Sequence, residues 1–162
     1  MNKTFIRQLN RLNNQFYRQV SASFSESRSY YWQGWNKLVP YIQELANHHD
    51  GQVTVLDIGC GNGRFGSFLA EQLPAIKIKY IGLDNSSELL KIAQAQSLSE
   101  NITSKFVKID IIESLLDESL AGKLQALKPH FVTALGVLHH VPSYKLRQDF
   151  ISQLANSLSS PG

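Results

Sequence analysis

Asp57, Gly59, Gly61 and Gly63 stand at every second position of one short stretch, a spacing suited to holding a ligand. A backbone without Cβ lets a ligand come close, and a helix that follows presents its unpaired N–H groups at the same point. The run Val53 to Ile58 just before is β-branched and leucine-containing, so these glycines fall where a buried strand ends. A plain strand–turn–helix junction is the bland alternative, but it needs one glycine rather than three. Gly61-Asn62-Gly63-Arg64-Phe65-Gly66 also satisfies the dinucleotide fingerprint G-x-G-x-x-G, and Asp84 lies 18 residues beyond Gly66, near the spacing of a ribose-binding acid. On that reading the cofactor is NAD and the protein an oxidoreductase.

Two further acids and two histidine pairs could do chemistry. Asp84 and Asp110 each close a strand-like run; an isolated Asp there is either a ligand acceptor or a turn former. His139 and His140 are weak candidates for a general base or a metal ligand. Adjacent histidines are poorly placed to chelate one ion, and His48-His49 is a separate pair at a loop, so no metal is expected. Cys60 sits near a helix N-terminus, which either lowers its thiol pKa or simply requires a small residue.

These residues need a framework. Gln52–Ile58, Ile76–Leu83, Ile102–Ile109 and His130–Leu135 read as strands. Arg64–Leu73, a stretch capped by Ser86 or Ser87, and one capped by Ser143 read as helices. The segment 111–127 holds a loop and one or two short helices. The last helix carries Leu146, Phe150, Ile151, Leu154 and Leu158 on one side. Alternation of strand and helix calls for an α/β doubly wound parallel sheet with right-handed crossovers. Ligands in such sheets bind beyond the carboxyl ends of the strands, where the winding reverses. Ahead of this domain (51–162) lies an N-terminal helical arm (1–50). Phe5, Leu9, Leu12, Phe16 and Val20 form one apolar stripe on a helix over Thr4–Val20, and that stripe is expected to pack on something. Ser21–Ser29 reads as loop. Tyr30, Tyr31, Trp32 and Trp35 then precede a second helix reaching about Asn47, with Pro40 tolerable near its first turn.

The longer run Asp57-x-Gly59-x-Gly61-x-Gly63 resembles motif I of the class I S-adenosylmethionine-dependent methyltransferases. Tyr80 to Ser86 is similar to that family's second strand, Phe106 to Ile111 to its third, and Val132 to Val141 to its motif IV, all in the family's order. The resemblance implies that Asp57, Gly59, Cys60, Gly61 and Gly63 surround the methionine end. It implies that Asp84, with Asn85, takes the ribose hydroxyls, that Asp110 and Ile111 meet the adenine, and that Leu135 borders the methyl group. S-adenosylmethionine is then the cofactor, and methyl transfer from a sulfonium needs no thiol, so Cys60 is read as a small residue. One ring of the His139-His140 pair is commonly packed structurally in that family. The stretch Asn14 to Arg28, followed by Trp32 and Trp35, looks like the segment ahead of the domain in methyltransferases that finish carboxymethyl groups on tRNA wobble uridines. This implies a tRNA acceptor, with Arg28 on the methionine carboxylate and Tyr17 or Trp32 shielding the cofactor as a lid. Its rival is a pair of amphipathic helices merely covering the sheet. A methyltransferase-like module that binds cofactor or a partner without turnover is a further alternative. A full domain of the family continues beyond the fourth strand's helix. The four strands here, expected in the order 3-2-1-4, are therefore read as its cofactor-binding half, natively short or truncated, with the fourth strand an open edge that a protein partner could cover.

Composition agrees with a globular chain. Its 162 residues are 43% hydrophobic and 18% charged, too apolar for disorder. No apolar run reaches the ~18 residues of a bilayer span, so no membrane partner is expected. The lone Cys60 excludes an internal disulfide and favours a reducing, cytoplasmic setting. Up to Pro40 the chain carries Lys3, Arg7, Arg11, Arg18, Arg28 and Lys37 against Glu26 alone. That basic arm reads as a solvated helix face, a phosphate-tracking surface or a transit peptide.

Overall fold

A computed structural model describes the backbone of residues 1–26 and 30–159, and the side chains of 1–20 and 30–159. The elements run α1 (Lys3–Glu26), a 3-10 turn (Gln33–Lys37), α2 (Val39–His48), β1 (Gln52–Ile58), α3 (Arg64–Gln72), β2 (Lys77–Asp84), α4 (Ser87–Ala95), β3 (Ile102–Lys108), α5 (Ile111–Leu116), α6 (Leu120–Gln125), β4 (Phe131–Thr133), a 3-10 turn (Leu138–His140) and α7 (Tyr144–Ser157). The four strands form one sheet in the order β3-β2-β1-β4, every neighbouring pair parallel. The expected α/β architecture and strand order are thus observed.

Strand parity decides what lies on each side of the sheet, because successive side chains point to opposite faces. Val53, Val55, Ile78 and Tyr80 turn to one side and pack with Trp35, Ile42 and Ala46 of the arm and Phe65, Phe68 and Leu69 of α3. Leu56, Ile58, Ile81 and Leu83 turn to the other and meet Ile112, Leu115, Leu120, Leu124 and Phe150, with Ile6 of α1 joining them. The second half of the arm is therefore part of the domain's core. Pro40 sits at the start of α2, where its missing N–H costs nothing.

Several local expectations change. β4 spans three residues rather than His130–Leu135, and Leu135 falls in the turn after it. α1 continues through the serine-rich stretch to Glu26 instead of giving way to a loop at Ser21. The stripe on α1 does not pack inward: Phe5 is 47% exposed, Leu12 64% and Phe16 56%. The side of α1 that meets the domain is mostly polar: beside the buried Ile6, Asn10, Asn14, Arg7 and Lys3 all find partners there. On α7, Phe150 is fully buried, whereas Ile151, and Leu158 just beyond the helix, are about half exposed.

Candidate cofactor and transfer site

At the carboxyl ends of β1, β2 and β4 lies a cavity of about 260 Å³, walled by the turns that leave these strands and by Asn10, Asn13 and Tyr17 of α1. Its floor is the glycine turn. Gly59, Gly61 and Gly63 all have left-handed backbones, with φ of 72°, 55° and 80°. At Gly59 a Cβ would lie 2.2 Å from Val137 Cγ2, so no other residue fits. Gly63 is the N-cap of α3. Cys60 is buried behind the turn, against the point where Gly82 leaves room: a Cβ on Gly82 would approach Cys60 Sγ to 2.7 Å. Burial, then the charges of Asp57 and Asp84, push its thiol pKa well up, so Cys60 is a small packed residue and not a reactive thiolate.

The two strand-end acids are set differently. Asp57 is 2% exposed; Tyr80 Oη donates to its Oδ2 at 2.5 Å and Thr133 Oγ1 to its Oδ1 at 2.7 Å. Burial raises its pKa to about 6, with the two hydroxyl bonds acting in the opposite direction. Asp84 accepts from Gly61 N on Oδ2 and from Ser86 N on Oδ1, each at 2.8 Å. It thereby ties the glycine turn to the start of α4, and burial raises its pKa as well. Each Asp84 oxygen retains acceptor capacity beyond its one backbone bond.

Asp110 caps α5 by accepting from Glu113 N. The same carboxylate receives Asn10 Nδ2 at 3.1 and 2.9 Å and Asn14 Nδ2 at 3.1 Å, while Asn85 Nδ2 donates to Asn14 Oδ1 at 2.5 Å. The arm therefore grips the acid that the resemblance assigns to adenine. Asn85, Ile111 and Leu135 also line the cavity. Arg28 lies outside the described residues.

At the β4 end, Tyr17 Oη and His140 Nε2 are 2.9 Å apart, and their rings meet edge to face. Burial and the neighbouring His139 lower the His140 pKa, so the imidazole is neutral near pH 7. Both histidines border the cavity. Among the described residues, no group of three or more His, Cys, Asp or Glu could hold a metal ion. Trp32 and Trp35 form a further wall, with the Arg64 guanidinium 5.8 and 5.1 Å from their ring centres. Trp35 is 5% exposed, and its indole Nε1 is a buried donor without a hydrogen-bond partner among the described residues.

Of the expected residues, Asp57, Gly59, Cys60, Gly61, Asp84, Asn85, Asp110, Ile111, Leu135, His139 and His140 come together around one cavity. Gly63 stands just behind it, with space for a Cβ limited by Ala93 and Phe106. Tyr80 and Thr133 as Asp57's partners, and Asn10 as Asp110's, carry no local sign in the sequence. Strand parity alone hints at Tyr80, which stands opposite Val55, two residues before Asp57.

A parallel sheet in this order with a glycine turn at its first strand end defines a doubly wound α/β domain whose ligand site lies at the carboxyl ends of its strands. Residues 56–162 match the family model of a methyltransferase domain, and the chain belongs to that family. Among curated proteins it is similar to a ubiquinone biosynthesis O-methyltransferase of Paraburkholderia phytofirmans, 34% identical over 60% of this chain and 37% of that protein. A protein of the same name from Pasteurella multocida is 31% identical over 63% of this chain and 41% of that one. The chain thus spans about two fifths of the curated relatives it matches. Among solved structures, a SAM-dependent methyltransferase of Anabaena variabilis is 25% identical, with a TM-score of 0.54 over 80% of this chain and 48% of that one.

Proposed function

We propose that this chain holds S-adenosylmethionine in the cavity and forms the cofactor-binding part of a methyltransferase acting on an oxygen atom. The observation that carries this reading is the Gly59–Gly63 turn on the cavity floor, pinned by an Asp84 carboxylate that keeps capacity for two more donors. The residues fit the cofactor. Asp84 and Asn85 suit two vicinal ribose hydroxyls, and Ile111 and Leu135 offer apolar walls. The buried acid Asp57 suits a cationic neighbour, and the orphan indole donor of Trp35 suits a carboxylate. Asp110 fits the adenine amino group only if Asn10 or Asn14 yields a place on it.

S-adenosylmethionine supplies a methyl group already activated by its sulfonium. The protein's share is to align the acceptor, exclude water and manage one proton. Tyr17 and Trp32 close the cavity from the arm side. An acceptor hydroxyl must lose its proton, and His140, neutral and on the cavity wall beside Tyr17, is the base this reading assigns. Oxygen as the acceptor atom rests on the relatives named O-methyltransferase. A tRNA wobble uridine rests only on the arm motif, whose Arg28 end lies outside the described residues, and a carboxylate acceptor there needs no base.

Calorimetric titration tests the cofactor. Heat is expected with S-adenosylmethionine and with its demethylated product, and Asp84→Ala is expected to abolish both. Heat with NAD and none with S-adenosylmethionine would reject the reading in favour of an oxidoreductase. A chain that binds but transfers radioactive methyl to neither hydroxylated small molecules nor tRNA would point to a non-catalytic module.

A further inference from the structure

Two residues of the cavity wall, Asp110 and Asn85, are already engaged by the arm. Asp110 Oδ1 accepts from Asn10 Nδ2 and from Glu113 N, each at 3.1 Å. Its Oδ2 accepts from Asn10 Nδ2 at 2.9 Å and from Asn14 Nδ2 at 3.1 Å. A carboxylate offers about four acceptor positions, so Asp110 is saturated. Asp84, on the same cavity, is held by backbone N–H groups of the adjoining turns; at Asp110 most of the hold comes from side chains of a distant helix. Asn14 reaches further, because its Oδ1 accepts from Asn85 Nδ2 at 2.5 Å. Asn10 and Asn14 are four residues apart, hence on one face of α1, and that face occupies polar atoms which a ligand in the cavity would meet.

We propose that Asn10 and Asn14 set how tightly and how selectively the cavity takes its nucleobase, by competing with the base's amino group for Asp110. The inference rests on the cofactor reading above, in which Asp110 receives the adenine amino group and Asn85 serves the ribose. With every acceptor position filled, an amino group reaches Asp110 only by displacing an arm amide. The exchange is of like for like: one neutral N–H on the carboxylate replaces another, and the freed amide turns to water. While the arm is in place this contact therefore adds little to affinity, and a purine without an amino group binds nearly as well. Removing the competitor returns the full worth of the contact to a ligand that can make it. The start of α1 does not depend on this exchange. Ile6 is 4% exposed in the core, Lys3 Nζ donates to Leu116 O, and Arg7 pairs with Glu113. Release is thus confined to Asn10 and Asn14. A helix that only covered the cavity would behave in the opposite way, since loosening it would weaken every ligand beneath it.

The test is calorimetric titration of the whole chain with S-adenosylhomocysteine and with its 6-deamino analogue, whose purine carries hydrogen in place of the amino group. The wild type is expected to prefer the amino-bearing ligand only weakly. Asn10→Ala is expected to bind S-adenosylhomocysteine about tenfold more tightly than the wild type, the worth of one hydrogen bond to a charged group. Its affinity for the analogue should stay nearly as it was, so the preference for the amino group rises by about the same factor. Asn14→Ala, which also frees Asn85, should tighten both ligands, and the amino-bearing one more. Asn14 is only partly buried, so this second variant decides the matter if circular dichroism shows Asn10→Ala unfolded. A folded variant in which the preference does not rise would overturn the inference: unchanged or weaker binding of S-adenosylhomocysteine would make α1 a fixed cover, and equal tightening of both ligands would show that the amino group is not what the arm opposes. Either result leaves the cofactor reading standing. Heat from neither the wild type nor the variants would remove that reading and this inference with it.

Discussion

Asp57 carries a heavy electrostatic load in the site. Its carboxyl stays on two hydroxyl donors yet has a pKa near 6 against an ordinary 3.8, because burial outweighs both bonds. The folded protein therefore binds a proton there more readily than the unfolded chain does. Below pH 3.8 both states are protonated and nothing is lost. As pH rises from 3.8 to 6 the folded state forfeits up to about 3 kcal/mol, at about 1.4 kcal/mol per pH unit. Urea unfolding of the wild type and Asp57→Asn between pH 4 and 7 should show the wild type losing stability relative to the variant as pH rises; parallel profiles would contradict this account. On the proposed function, a cationic ligand beside it offsets the cost of keeping this ion at a strand end. His130 acts in the opposite direction. Thr54 N donates to its Nδ1 and its ring stacks on His49, and burial lowers its pKa. Its contribution is present above pH 6.5 and fades as pH falls, which is why the comparison with Asp57→Asn, and not the wild-type profile alone, isolates the acid.

At the scale of elements, α1 and the glycine turn differ in how they are held. The turn is shaped by its own residues: Gly59 cannot carry a Cβ because Val137 occupies that space, and Asp84 fastens Gly61 across the neighbouring strand end. α1 is held instead by Ile6 in the core and by a few polar contacts to groups far along the chain, above all Asn10 to Asp110. Asn10→Ala removes two contacts to a carboxylate from a position 6% exposed. Hydrogen bonds to charged groups are worth about 1.5–3 kcal/mol, so a loss in that range is expected in urea unfolding, together with faster amide exchange along α1. A change confined to global stability with unaltered exchange in α1 would show that the helix is held elsewhere. The serine-rich stretch after Val20 illustrates the limit of local reading. Its composition favours caps and turns, yet the helix persists to Glu26, since propensity is a weak prior that context overrides.

For the whole molecule, a ligand that binds only the folded state raises stability by mass action, about 2.7 kcal/mol at a hundred times its dissociation constant. S-adenosylmethionine should therefore lift the thermal midpoint of this chain. On the proposed placement of Asp57 beside the cationic end, that lift should shrink as pH falls below about 6, because protonation removes the charge the cation meets; scanning calorimetry at pH 7 and pH 5 checks both. Much of this assembly is legible locally. Alternating strand and helix runs, the glycines at the end of β1 and the acids ending β2 and following β3 specify a parallel sheet and a ligand at its carboxyl edge, because period and turn chemistry act over a few residues. Three things are decided only when the chain closes. Asp57 takes its partners from 23 and 76 residues away, through the registers of β1 with β2 and β4. Asp110 is gripped by Asn10 from 100 residues away. The apolar stripe of α1, plain in the sequence, faces outward because the polar side of the same helix finds the better-matched partners. Periodicity establishes that a helix has two faces; only the surface it meets determines which one turns in.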